Sequence, residues 1–124
     1  MSLRSPLGRV LGNGAANEGP HHWWVQRLTS IALVPLGIWF AVSLMALPLA
    51  DRAVLFDWMS HGWNALLTFL FALVATAHSR LGVQVVIEDY VHAHGLKTLA
   101  LILNTFAHIL IAVAASYAVL KIAL

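Results

Sequence analysis

Residues 58–90 read WMSHGWNALLTFLFALVATAHSRLGVQVVIEDY, and this stretch decides the fold. No charged side chain occurs from Trp58 to Ser79. Arg80 interrupts, and the apolar character then resumes from Leu81 to Ile87 before Glu88. About 20 apolar residues cross roughly 30 Å of hydrocarbon at about 1.5 Å per helical residue. The stretch therefore predicts one transmembrane helix over about 58–90. It is longer than a minimal span, so its last turns project to the membrane surface or the helix tilts.

Working outward, a loop with His92, His94 and Gly95 leads to a second apolar run, Thr98–Leu120, held between Lys97 and Lys121. It predicts a helix over about 97–122. On the N-terminal side, Leu28–Ala50 carries no charge between Arg27 and Asp51, which predicts a helix over about 28–50. Trp23 and Trp24 precede it as an interfacial aromatic belt does. Pro35 is expected to kink it, which membrane helices tolerate, while Pro48 and Asp51 end it. The expected fold is all-α: a three-helix transmembrane domain over 23–124 behind an irregular, water-exposed arm over 1–22. The arm is rich in glycine and lacks a signal peptide's apolar core. Ser and Arg without acids before Glu18 also fit a mitochondrial presequence, but the stretch is short and glycine-rich.

Only 10% of the 124 residues are charged and 60% are hydrophobic, against about 25% charged in soluble domains. The basic residues are scattered, which argues against nucleic-acid binding. With no cysteine, the chain alone holds no disulfide, thiolate nucleophile or iron–sulfur cluster. Three crossing helices leave little water-exposed mass, so a catalytic domain has to come from another chain. Arg4, Arg9, Arg27, Arg80 and Lys97 fall on one side of the membrane and Arg52 and Lys121 on the other. The positive-inside rule then makes the N-terminus cytoplasmic, together with the Asp89–Tyr90 end of the central helix.

Seven histidines are unusual in so apolar a chain. His78 lies deep in the central span, where an imidazole is costly without a partner. At about 100° per residue, Gly82 lies about 40° from His78, Val85 about −20°, and Phe71 and Asp89 each about 20°. One stripe thus carries an aromatic, an imidazole, a glycine and a carboxylate. A glycine lets a flat ligand approach the backbone, and neutral imidazole is a haem iron ligand. Spacing alone leaves a second reading open, a histidine bonded to a neighbouring helix. Asp89 and Tyr90 follow about 17 and 18 Å along the axis, near the interface. A tyrosine hydroxyl can donate to a quinone carbonyl and a carboxylate can relay protons. By spacing alone, an ordinary interfacial tyrosine beside a solvated aspartate is the simpler account. Arg80, about 200° from His78, is expected to point away from the stripe. Asn104 and His108, at i and i+4 on the third helix, offer a second ligand face or, as the preferred reading, interhelical hydrogen bonds. His21, His22, His92 and His94 are expected near the cytoplasmic surface and His61 at the opposite one.

The segment His78–Val91, HSRLGVQVVIEDYV, resembles the signature of the small hydrophobic membrane anchor of succinate dehydrogenase, respiratory complex II. His78, Gly82, Gln84, Asp89 and Tyr90 match its pattern, and Arg27-Leu-Thr-Ser30 resembles the family's entry to its first helix. The glycine-rich arm and the His-His-Trp-Trp run are similar to the alphaproteobacterial branch. The resemblance implies that His78 is one axial ligand of haem b. The other comes from a second membrane anchor subunit, so the three helices form part of a haem-binding bundle completed by that partner. It implies that Tyr90 bonds ubiquinone with Asp89 beside it, and that Arg27 lies near the haem propionates or the quinone. It implies a flavoprotein subunit and an iron–sulfur subunit as the partners that oxidise succinate, and a bacterial inner membrane rather than a mitochondrial one. An anchor of quinol:fumarate reductase and a cofactor-free structural membrane subunit are the alternatives.

Overall fold

The computed structural model describes residues 18–124. The arm expected over 1–22, with Arg4 and Arg9, lies up to residue 17 outside the described residues. Four helices follow: α1 (Glu18–Ala46), α2 (Arg52–Ser60), α3 (Gly62–Tyr90) and α4 (His94–Ala123). No strand occurs among the described residues. α1, α3 and α4 are each long and apolar enough to cross a membrane. At 29, 29 and 30 residues they run about 43–45 Å at the helical rise, which exceeds the roughly 30 Å hydrocarbon core.

The helix ends differ from the sequence reading for identifiable reasons. Hydropathy marks where a helix enters lipid, not where it begins. α1 is already helical at Glu18, the first described residue and ten residues ahead of the apolar run. It stops at Ala46, because Pro48 follows and the Asp51 N–H closes a turn on Pro48 O at 2.8 Å. The helix expected over 58–90 is two helices. Asp51 caps α2, its carboxylate accepting from Ala53 N at 2.9 Å, and α2 ends before His61, whose extended backbone breaks the helix ahead of Gly62.

α3 is the middle of the bundle. It packs against α1 on one side and α4 on the other, while α1 and α4 make no contact with each other among the described residues. The pairings are antiparallel. On α1 and α3, Thr29 meets His78 and Phe40 stacks on Phe71 at 4.7 Å. On α3 and α4, Arg80 O accepts from Asn104 Nδ2 at 3.0 Å. Trp39 of α1 stacks on Trp58 of α2 at 5.7 Å, tying the short helix to the bundle. Within the spans, Thr29, Ser30, Ser43, Thr76, Thr98 and Thr105 each donate to a carbonyl four residues earlier, so these hydroxyl hydrogens do not face hydrocarbon.

The described residues have almost no core of their own. Met59, Leu81, Val119 and Asn104 are the buried residues among those described, and large apolar side chains stand exposed along every span. In a soluble chain this would be an aggregation liability. Around a bundle of this length it is the surface that lipid and other membrane helices cover.

Candidate haem and quinone site

His78 is half-buried on the face of α3 that meets α1. Its Nδ1 lies 2.9 Å from Thr29 Oγ1. Its Nε2 has no hydrogen-bond partner among the described residues. The two readings left open by spacing are therefore compatible. The ring is bonded to a neighbouring helix through one nitrogen and keeps the other free.

Gly82 lies one turn further along α3. A Cβ built there meets nothing within 4 Å, so the backbone beside His78 borders open space. Val85, Val86 and Asp89, further along this side of the helix, are exposed. A free imidazole nitrogen beside uncovered glycine backbone is a donor set and a surface that fit a flat, iron-containing macrocycle.

Phe71 lies on the same α1-facing side of α3 as His78, but at the packed end of it. It stacks on Phe40 and lies 4.0 Å from a Cβ built on Gly37, so it serves the α1–α3 contact. Equal angles on an ideal helix do not separate a side chain turned toward a neighbour from one left open.

His108 is fully engaged. Its Nδ1 lies 2.9 Å from Asn104 O, an acceptor, so Nδ1 carries the hydrogen. Its Nε2 then accepts from Ser79 Oγ at 3.1 Å. Asn104, 8% exposed, donates to Arg80 O. The pair is the interhelical polar seam expected from sequence, with both ring nitrogens of His108 used in it.

Arg27 is exposed, its guanidinium over the Trp23 ring at 5.2 Å. Two positions from Thr29, it points about 160° away from that residue on a regular helix. The structure therefore does not bring it to His78 within this chain. Arg80 is half-buried and lines a crevice of about 310 Å³ between α1 and α3 with His21, His22 and Ala77. Sequence reasoning missed this grouping, because a long flexible side chain is not confined to its Cβ direction. Asp89 and Tyr90 end α3 and are exposed, Tyr90 at 80%. Lys97 Nζ donates to Glu88 O at 3.2 Å and holds the turn into α4 beside them. His21, His92 and His94 are exposed, and so is His61 at the other end of the bundle.

These features define a small three-span membrane protein whose middle helix carries a half-buried imidazole with one ring nitrogen unpartnered among the described residues. The model of the succinate dehydrogenase/fumarate reductase transmembrane subunit family matches residues 1–119, and the chain belongs to that family. Among curated proteins it is similar to the succinate dehydrogenase hydrophobic membrane anchor subunits of Rickettsia felis, Rickettsia bellii and Paracoccus denitrificans. The first is 33% identical, covering 79% of this chain and 82% of the relative. The second is 30% identical, covering 81% and 80%. The third is 27% identical, covering 100% and 95%. No solved structure matches.

Proposed function

We propose that this chain is one of two membrane anchors of a succinate:ubiquinone oxidoreductase, binding haem b and bordering the site of ubiquinone reduction. The observation that carries the reading is His78, held through Nδ1 by Thr29 with Nε2 unpartnered beside the open backbone of Gly82. His78 would hold the haem iron through Nε2 together with a ligand from the partner anchor. Haem b, when bound, supplies one-electron storage beside the quinone. His21, His22 and Arg80 supply hydrogen-bond donors suited to its carboxylates. Arg27 can approach the haem or the quinone only where the partner brings either to its exposed face. Tyr90 donates its hydroxyl to a quinone carbonyl, and Asp89 lies at the interface to pass protons from water.

The flavoprotein and iron–sulfur partners carry succinate oxidation and dock on the cytoplasmic side of a bacterial inner membrane, where the N-terminus and Tyr90 lie. The family description names fumarate reductase as well, so the direction of flux is a property of the assembled enzyme. The test is purification of the assembled complex, followed by its spectra. A Soret band with a sharp reduced α-band and co-purifying flavin supports the proposal. A colourless chain from haem-replete cells overturns the haem reading in favour of a purely structural anchor.

A further inference from the structure

Thr29 Oγ1 has three close polar neighbours: Val25 O at 2.8 Å, Gln26 O at 3.0 Å and His78 Nδ1 at 2.9 Å. It owns one hydrogen. The two carbonyls can only accept, whereas Nδ1 can donate. If the hydroxyl donated to Nδ1, a lone pair would face a carbonyl oxygen at 2.8 Å. If it donates to the carbonyls of its own helix, every contact becomes a hydrogen bond, provided Nδ1 carries the ring hydrogen. We infer that Thr29 is a positioning residue, accepting the Nδ1–H of His78 and so fixing the tautomer that presents the Nε2 lone pair. The inference rests on the proposed ligation of haem by His78.

The hydroxyl's back-bond to α1 holds the acceptor still, and the ring is oriented before any iron arrives. An oxygen acceptor on Nδ1–H raises the basicity of the ring, which favours ferric over ferrous iron, and such partners are worth about 10- to 100-fold in metal affinity. Losing this one is expected to weaken the bond to ferric iron more than to ferrous, and each tenfold of that difference raises the midpoint potential of a one-electron couple by about 59 mV.

The test compares Thr29→Val and Thr29→Ser in the whole complex, with His78→Ala as reference. Readouts are haem content, the reduced spectrum and the haem midpoint potential. The expected result is a raised potential or lost haem in Thr29→Val, with wild-type values in Thr29→Ser, which keeps the hydroxyl. Should the valine variant fail to assemble, Thr29→Ala is read by the same criterion. Loss of haem ligation in His78→Ala with wild-type potential in both hydroxyl-free variants overturns the role of Thr29 and leaves the ligand standing. An unchanged spectrum in His78→Ala overturns the ligand itself.

Discussion

His78 and His108 carry the same ring, and hydrogen-bond geometry separates them. His78 uses one nitrogen on Thr29, whereas His108 uses both, on Asn104 O and Ser79 Oγ. His78→Ala in the assembled complex is therefore expected to alter or abolish the reduced haem spectrum. His108→Leu is expected to leave it unchanged at the cost of about 0.6–2 kcal/mol of helix association. A spectrum that responds to His108 and ignores His78 sinks the assignment. Tyr90 tests the quinone role. Phenylalanine keeps the ring and deletes the hydroxyl, a loss of roughly 0.5–3 kcal/mol if that group bonds a carbonyl. At about 1.4 kcal/mol per tenfold, succinate–quinone activity of Tyr90→Phe falls between about twofold and a hundredfold. Activity with a water-soluble acceptor and the haem spectrum stay as they were, since Tyr90 lies about 18 Å along α3 from His78. A parallel fall in both activities marks the tyrosine as structural. His78 was legible in the sequence because an imidazole stands out in an apolar run. Thr29 as its partner was not, because a threonine two residues from Arg27 looks like any other until α1 and α3 are in register.

At the level of helices, the three spans could be read from charge-free runs alone, since lipid forces every backbone group inside it into internal hydrogen bonds. Their ends could not, because caps and turns obey local chemistry. The carboxylate of Asp51 starts α2, and the extended backbone of His61 stops it within a stretch that hydropathy treats as continuous with α3. The face of α3 that matters was also only half readable. The period groups Phe71, His78, Gly82 and Asp89, but packing against α1 claims Phe71 and leaves Gly82 bare. That bareness predicts graded outcomes for two substitutions. Gly82→Ala meets no neighbour among the described residues and adds about 0.8–1 kcal/mol of helix propensity, so assembly should match or exceed the wild type, with haem content lowered less than by a larger side chain. Gly82→Leu fills the space beside His78, so the complex should assemble with haem reduced or absent, read as haem per flavin. Full haem content in Gly82→Leu means that the macrocycle does not lie against this turn.

The molecule as a whole is a row, not a closed bundle: α1, α3 and α4 lie side by side with α3 between, and α1 and α4 do not touch among the described residues. Such a row leaves His78 and Gly82 only partly covered and Asp89 exposed among the described residues, and it buries only four of them. Lipid can cover the apolar part of that side but cannot supply the second iron ligand or the quinone walls that the proposed function requires. Helices associate in lipid through close packing and polar contacts rather than hydrophobic exclusion. The open side, bordered by Gly82, allows such an approach by another chain. Assembly should then be a condition of cofactor binding rather than a consequence of it. Produced alone in haem-replete cells and extracted in mild detergent, the chain should run without a bis-histidine haem spectrum. Co-produced with a second anchor, it should co-migrate with that anchor and show the reduced α-band, even with the soluble subunits missing. Adding those subunits should then bring flavin into the same peak and quinone reductase activity with it. The decisive comparison is haem absorbance per chain across these three preparations on one size-exclusion column. A stable monomer carrying a full complement of six-coordinate haem would mean that this chain closes the site by itself, and the requirement for a partner ligand would have to be abandoned.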